Sequence, residues 1–178
     1  MRVVAGKLRG RQLFAPRGSA TRPTSDRVRE ALFSLLGSVD GARVLDLFAG
    51  SGALAIEALS RGAASATLID SSPAAIVAIR RNLQALGLEA EVRRQAVRSY
   101  LRAARIAARQ YDLVLLDPPY RHASVLGREL SDALAPVLSP GARVVAESDR
   151  RSALELELPL ADERRYGDTL IRIYDVPT

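Results

Sequence analysis

A doubly wound, mostly parallel α/β sheet is the fold this 178-residue sequence predicts. Three observations carry the prediction. From Ala42 onwards, short apolar runs alternate with stretches of helical period, the spacing of parallel strands joined by crossover helices. One run, YDLVLLDPPY at 111–120, is apolar without alternation, as a strand covered on both faces must be. It then stops at two prolines, which cannot donate to a ladder. Two late apolar runs follow with no helix between them, which argues for an antiparallel edge. The expectation is a Rossmann-like sheet of seven strands with an antiparallel edge strand. A basic hairpin, loop and helix over 1–40 precede a body at 41–178.

In order, residues 2–15 (RVVAG, KLRG, RQLFAP) read as a hairpin with Gly6 and Gly10 at its turn. Residues 16–24 are a Pro/Gly/Ser/Thr loop carrying Arg17 and Arg22. Thr24 or Ser25 can cap a helix to about Leu36. Its Val28, Ala31, Leu32, Leu35 and Leu36 share one face, Arg27, Arg29 and Glu30 take the other, and Gly37 ends it. Strands follow at 43–48, 66–70, 89–94, 111–117 and 142–148. Helices between them are expected at 53–62, Pro73 to Leu86, Val97 to Ala108, and 123–138. LELEL (154–158) and TLIRIYDV (169–176) are the late strands.

The chain is long enough for one domain with a substantial core. The absence of cysteine excludes a disulfide framework and a thiolate metal site, and a single histidine, His122, excludes a His-rich cluster. No metal is expected. No run approaches a membrane span and no signal-peptide core opens the chain, so a cytoplasmic protein without a membrane partner is expected, with a monomer as the default. The net charge of +6 is uneven: residues 1–40 hold eight basic and three acidic side chains, and no acid precedes Asp26. A basic segment on a nearly neutral body points to a polyanion, most simply nucleic acid.

The sequence VLDLFAGSG places Gly50 and Gly52 between a strand and a helix, with Phe48 and Ser51 in the same turn. Glycine there admits a ligand close to the backbone, and the helix-opening amides can meet an anionic group. Some twenty residues on, Asp70 ends the next strand beside Ser71, where a carboxylate can accept from both ribose hydroxyls. Together these describe a nucleoside-containing cofactor. Two details favour S-adenosyl-L-methionine over a dinucleotide. The loop is Asp-x-Phe-x-Gly-x-Gly, not Gly-x-Gly-x-x-Gly, and Asp46 is badly placed for a pyrophosphate but well placed for an ammonium.

At the end of the 111–117 strand, Asp117, Pro118, Pro119 and Tyr120 present an acceptor and a flat ring where open α/β sheets bind ligands. An isolated Asp-Pro-Pro-Tyr reads first as a strand-ending turn; the donor loop and basic segment turn it into a candidate site. His122 reads as a rim or loop residue, and Glu147 as a structural or substrate-side carboxylate.

With these parts in this order, the chain resembles class I S-adenosylmethionine-dependent methyltransferases. More narrowly, it resembles the RsmD family of bacterial 16S ribosomal RNA guanine-N2 methyltransferases. The resemblance rests on RVVAGKLRGRQL (2–13), TRPTSDRVREALF (21–33), LDLFAGSGALAIEALSRGA (45–63), DPPY (117–120) and RRYGDTLIRIY (164–174). It implies methyl transfer to guanine N2 of 16S rRNA in the small ribosomal subunit. Asp46, Gly50 and Gly52 would line the methionine end, Asp70 the ribose, and Asp117 to Tyr120 the base. Arg9, Arg11, Arg22, Arg27 and Thr24 would contact RNA. After the third strand the chain reads Gln95-Ala96-Val97, where such enzymes often place Asp or Asn before Ala. The adenine contact therefore falls to backbone groups near Ala96 and Val97, or to Gln95. DPPY is shared with N6-adenine methyltransferases, so an adenine in RNA or DNA is the rival target. A nucleic-acid-binding module with a disused body is the non-enzyme rival.

Overall fold

The computed structural model describes residues 1–16, 25–118 and 123–178, with 123–125 as backbone. Its centre is a seven-stranded sheet in the order β3-β2-β1-β4-β5-β7-β6. The strands are β1 (Arg43–Leu47), β2 (Ser65–Asp70), β3 (Glu91–Arg94), β4 (Tyr111–Leu116), β5 (Leu138–Asp149), β6 (Leu160–Tyr166) and β7 (Thr169–Asp175). From β3 to β5 neighbours run parallel; β7 lies antiparallel between β5 and β6. The helices are α1 (Asp26–Leu36), α2 (Ala53–Ser60), α3 (Pro73–Leu86), α4 (Val97–Ile106) and α5 (Ala123–Leu134).

Strand periodicity divides the core in two. On β4, Leu113 and Leu115 join a cluster with Leu32, Ile56 and Ile79 from α1, α2 and α3. Val114 and Leu116 point the other way and join Leu101 and Leu130 from α4 and α5. The apolar run is thus explained by cover on both faces. The chain reverses its winding between β1 and β4, and their carboxyl ends form the crevice that the topology leaves for a ligand.

Two elements differ from the sequence expectation. LELEL forms no strand: Leu154 and Leu156 are buried, and side chains satisfy its backbone in place of a ladder. The Leu156 amide donates to Tyr174 Oη (3.2 Å) and the Glu157 amide to Ser131 Oγ (2.8 Å). The sixth strand is instead the charged LADERRY run, whose Glu163 bonds Arg172 on β7 (2.8 Å). An edge strand needs few apolar residues, and charge there discourages edge-to-edge pairing.

In the N-terminal arm the expected hairpin forms: the Val3 amide donates to the Arg11 carbonyl (2.9 Å), Gly10 to Val3 (2.8 Å) and Leu13 to Met1 (2.9 Å), with Arg2 bridging Gln12 around a 3-10 turn at Gly6–Leu8. Side chains of α2 take further amides of the arm. Val4 and Ala5 donate to the buried Glu57 carboxylate (2.7 and 2.9 Å), and Leu8 donates to Ser60 Oγ (3.0 Å). Arg29, expected on the solvent face of α1, is fully buried; its guanidinium donates to Asp26 (2.7 Å) and to the Arg2 carbonyl. A long stem beside a fixed carboxylate satisfies the inward position that the apolar pattern assigned elsewhere.

Val3 and Leu13 belong to the main core cluster, so the arm is packed into the body. Gly6 sets the closest approach: it has φ of +78°, and a Cβ there would stand 1.9 Å from the Ser60 carbonyl oxygen. Gly6→Ala is expected to lower the unfolding free energy by about 3 kcal/mol. A denaturant midpoint equal to wild type would refute this packing.

Candidate active site

The site is built on the switch point. Asp46, one residue from the end of β1, is 1% exposed and accepts a hydrogen bond from the Ala55 amide (3.1 Å) in the first turn of α2. The chain then turns sharply: Phe48, Gly50 and Gly52 all have positive φ, at 64°, 57° and 78°. For Phe48 this is the left-handed region that costs a non-glycine residue about 1–3 kcal/mol, a cost borne where a ring must be aimed. Gly52 has a second constraint, since a Cβ there would lie 2.9 Å from Leu68 Cδ2. Close packing of α2 on the sheet therefore requires glycine as much as the turn does.

Asp70 ties the loop down. One carboxylate oxygen accepts from the Gly50 amide (2.9 Å) and the other from the Ser72 amide (2.8 Å). Each oxygen keeps a further lone pair, and Asp70 is only half-buried. Ser71, next to it, is exposed, and Ser51 is half-buried in the loop. Asn82, fully buried on α3, donates to the Ser51 carbonyl (2.9 Å) and grips the arm through both the amide and carbonyl of Phe14 (2.8 and 2.9 Å). Sequence reasoning missed Asn82 and Glu57. The signal was present: Glu57 is the lone acid in ALAIEALS, and Asn82 sits one turn from Ile79 on an apolar face.

Beside the loop lies a cavity of about 200 Å³, lined by Phe48, Ala96, Val97, Leu126 and Leu130, with Arg98 and Glu129 ion-paired at its edge. Ala96 caps α4 with no side-chain hydrogen bond, which leaves first-turn amides of that helix without a side-chain acceptor. An apolar slot beside free amides suits a flat heteroaromatic ring with acceptor nitrogens. Leu126 and Leu130 were not anticipated, because an apolar residue on α5 reads as core.

Asp117 follows β4 directly and is half-buried, with Pro118 buried behind it. Leu116 pairs with Ala146, so Asp117, just past β4, adjoins the buried Glu147 inside β5. Burial, then the charges of Glu147 and Asp46, holds the Asp117 carboxyl well above the usual carboxylate range. Burial also pushes Asp46 up to about 7, opposed by the Ala55 amide and assisted by the charge of Asp70. A crevice with carboxyls this reluctant to ionise favours a cationic occupant.

Pro119, Tyr120, His122, Arg22 and Thr24 lie outside the described residues. Arg9 and Arg27 are exposed, and Arg11, also exposed, donates to the Ala85 carbonyl (3.1 Å) at the end of α3.

The family profile described as conserved hypothetical protein 95 matches residues 1–175. YlbH of Bacillus subtilis is 38% identical over 184 residues, covering 98% of each chain. Ribosomal RNA small subunit methyltransferase D of Escherichia coli K12 is 43% identical over 123 residues, which span 68% of this chain and 61% of that protein. The solved structure of the Escherichia coli protein yhhF superposes with a TM-score of 0.83 at 34% identity, covering 100% of this chain and 98% of the other.

Proposed function

This chain belongs to the conserved hypothetical protein 95 family, and we propose that it transfers a methyl group from S-adenosyl-L-methionine to the exocyclic N2 of a guanine in 16S ribosomal RNA, within the small subunit. The observation that carries the reading is one crevice in which a glycine loop over Asp46, a slot for a purine and the Asp117 acceptor meet. The residues fit the cofactor: it is cationic at its sulfonium and ammonium, and burial holds the Asp46 and Asp117 carboxyls above their usual range, so that a cation beside them is favoured. When bound, S-adenosylmethionine supplies an electrophilic methyl group.

The chain's own residues would do the rest. Asp70 keeps lone pairs for ribose hydroxyls, and the Gly50, Ser51 and Gly52 backbone gives the methionine portion a close approach. Phe48, Val97, Leu126 and Leu130 enclose adenine, with the Ala96-Val97 backbone as its polar contact in place of the missing side-chain acceptor. The guanine N2 lone pair is delocalised into the ring and is a poor nucleophile. Asp117 accepting one N–H and the Pro118 carbonyl the other would aim that lone pair, and Tyr120 would stack on the base, worth about 1–3 kcal/mol. Most of the acceleration is then positioning. A paired base must leave its stack to reach the site.

RNA contacts are assigned to Arg9, Arg11, Arg22 and Arg27, with Thr24 beside them. Among the described residues no helix is long and apolar enough to cross a membrane. The test is incubation with labelled S-adenosylmethionine and small subunits from cells lacking the enzyme, followed by nucleoside analysis. Label in N2-methylguanosine is expected; label in N6-methyladenosine would overturn the base assignment, and no label would overturn the activity.

A further inference from the structure

Resting on the RNA-methyltransferase reading, we propose that the RNA-binding surface continues from the arm across the outer face of α3, through Arg80 and Arg81. Neither residues 1–16 nor α3 contain a single acid. Asn82 and Arg11 join them into one surface, since both bond across the seam. At that seam the Arg81 guanidinium lies 3.5 Å from the Phe14 ring centroid, and Phe14 remains 38% exposed.

The body treats most of its other cations differently. Arg43, Arg93, Arg109, Arg128 and Arg172 each hold a carboxylate. Among the described residues, Lys7, Arg9, Arg11, Arg80 and Arg81 hold none. In the arm only Arg2 is paired, with Asp26, so the uncompensated cations of the arm and α3 meet across one seam; among the described residues Arg27, Arg94 and Arg143 also hold no carboxylate. Uncompensated cations gathered on one acid-free surface suit a polyanion such as a nucleic-acid backbone. Arg81 is held over the Phe14 ring, and an exposed guanidinium there can meet a base as well as a phosphate. Arg102 and Arg105 on α4 also lack a carboxylate, but α4 packs on the opposite face of the sheet, away from the arm. They provide a matched control.

The experiment measures binding of full-length protein to small subunits, or to the 16S RNA, across a salt series. Arg80→Glu/Arg81→Glu is expected to weaken binding at least tenfold. Arg80→Gln/Arg81→Gln, which removes charge without reversing it, should reduce the slope of log affinity against log salt by about 1.4, for two single-strand phosphates at about 0.7 each. Both variants should bind S-adenosylmethionine in calorimetry like wild type, and Arg102→Glu/Arg105→Glu should bind RNA within about twofold of wild type. An unchanged affinity and slope in the α3 variants overturns the proposal. So does an equal loss in the α4 control, which would make the effect one of net charge. Failure of the wild-type protein to bind 16S RNA at all would instead remove the reading beneath it.

Discussion

Asp117→Ala is expected to cut methyl transfer by about 10³-fold or more while leaving S-adenosylmethionine affinity within about threefold of wild type. The carboxylate stands at the end of β4, outside the loop that would hold the cofactor, and its work begins only when the amine arrives. Loss of one pre-aimed polar group in a water-poor site costs about 10²–10³ in turnover, and loss of orientation adds to it. The direction of the pH dependence follows from the raised carboxyl. A carboxylate only accepts, whereas a protonated carboxyl offers a competing donor to the amine, so wild-type kcat/KM should rise with pH as Asp117 gives up its proton. A bound sulfonium close by would draw that transition towards lower pH, so the profile of kcat should lie to the acid side of that of kcat/KM. Asp117→Asn should lose this limb of the profile along with most of the rate. Turnover within tenfold of wild type in either variant would remove Asp117 from the reaction.

The sheet was legible because both of its signals are local. An apolar run without alternation can only be a strand buried on two faces, and Gly50, Gly52 and Asp70 recur at intervals set by one strand-helix-strand unit. The glycine loop could therefore be placed before its geometry was known. What escaped the sequence depends on partners distant in the chain. LELEL has strand alternation, yet Tyr174 and Ser131 claim its amides, while the charged LADERRY pairs because β7 offers an open edge. The arm's hairpin was legible, but not that the Glu57 and Ser60 side chains take three of its amides and dock it on α2. Nothing local announces that a lone acid on an apolar helix is waiting for a segment some fifty residues away. Removing the arm to test RNA binding would thus expose Glu57, Asn82 and part of the core, so single arginine substitutions are the cleaner probe. The enclosed slot beside Ala96 escaped for the same reason, because Leu126 and Leu130 reach it only once α5 has folded back over the sheet.

Asp46→Asn is expected to stabilise the protein at pH 8 by about 2–4 kcal/mol, to leave it near wild-type stability at pH 4, and to weaken S-adenosylmethionine binding at least tenfold. Burial pushes the Asp46 carboxyl up to about 7 in the folded protein, against about 3.9 in an unfolded chain. A raised folded value means that the native state holds the proton more tightly. The stability this gives is fully present below about pH 4 and is lost as pH rises through 7. Asparagine keeps the acceptor for the Ala55 amide and never ionises, so the variant should show no such loss. Chemical denaturation at the two pH values measures it, and equal wild-type stability at both would sink the argument. A cationic cofactor of the proposed kind would offset the charge that the empty fold holds at a cost beneath the glycine loop. The thermal shift that S-adenosylmethionine produces in wild type should accordingly grow between pH 6 and 8 and stay flat in Asp46→Asn. Stability and cofactor affinity are thus opposed at one buried atom pair, as expected where a site is organised for its ligand.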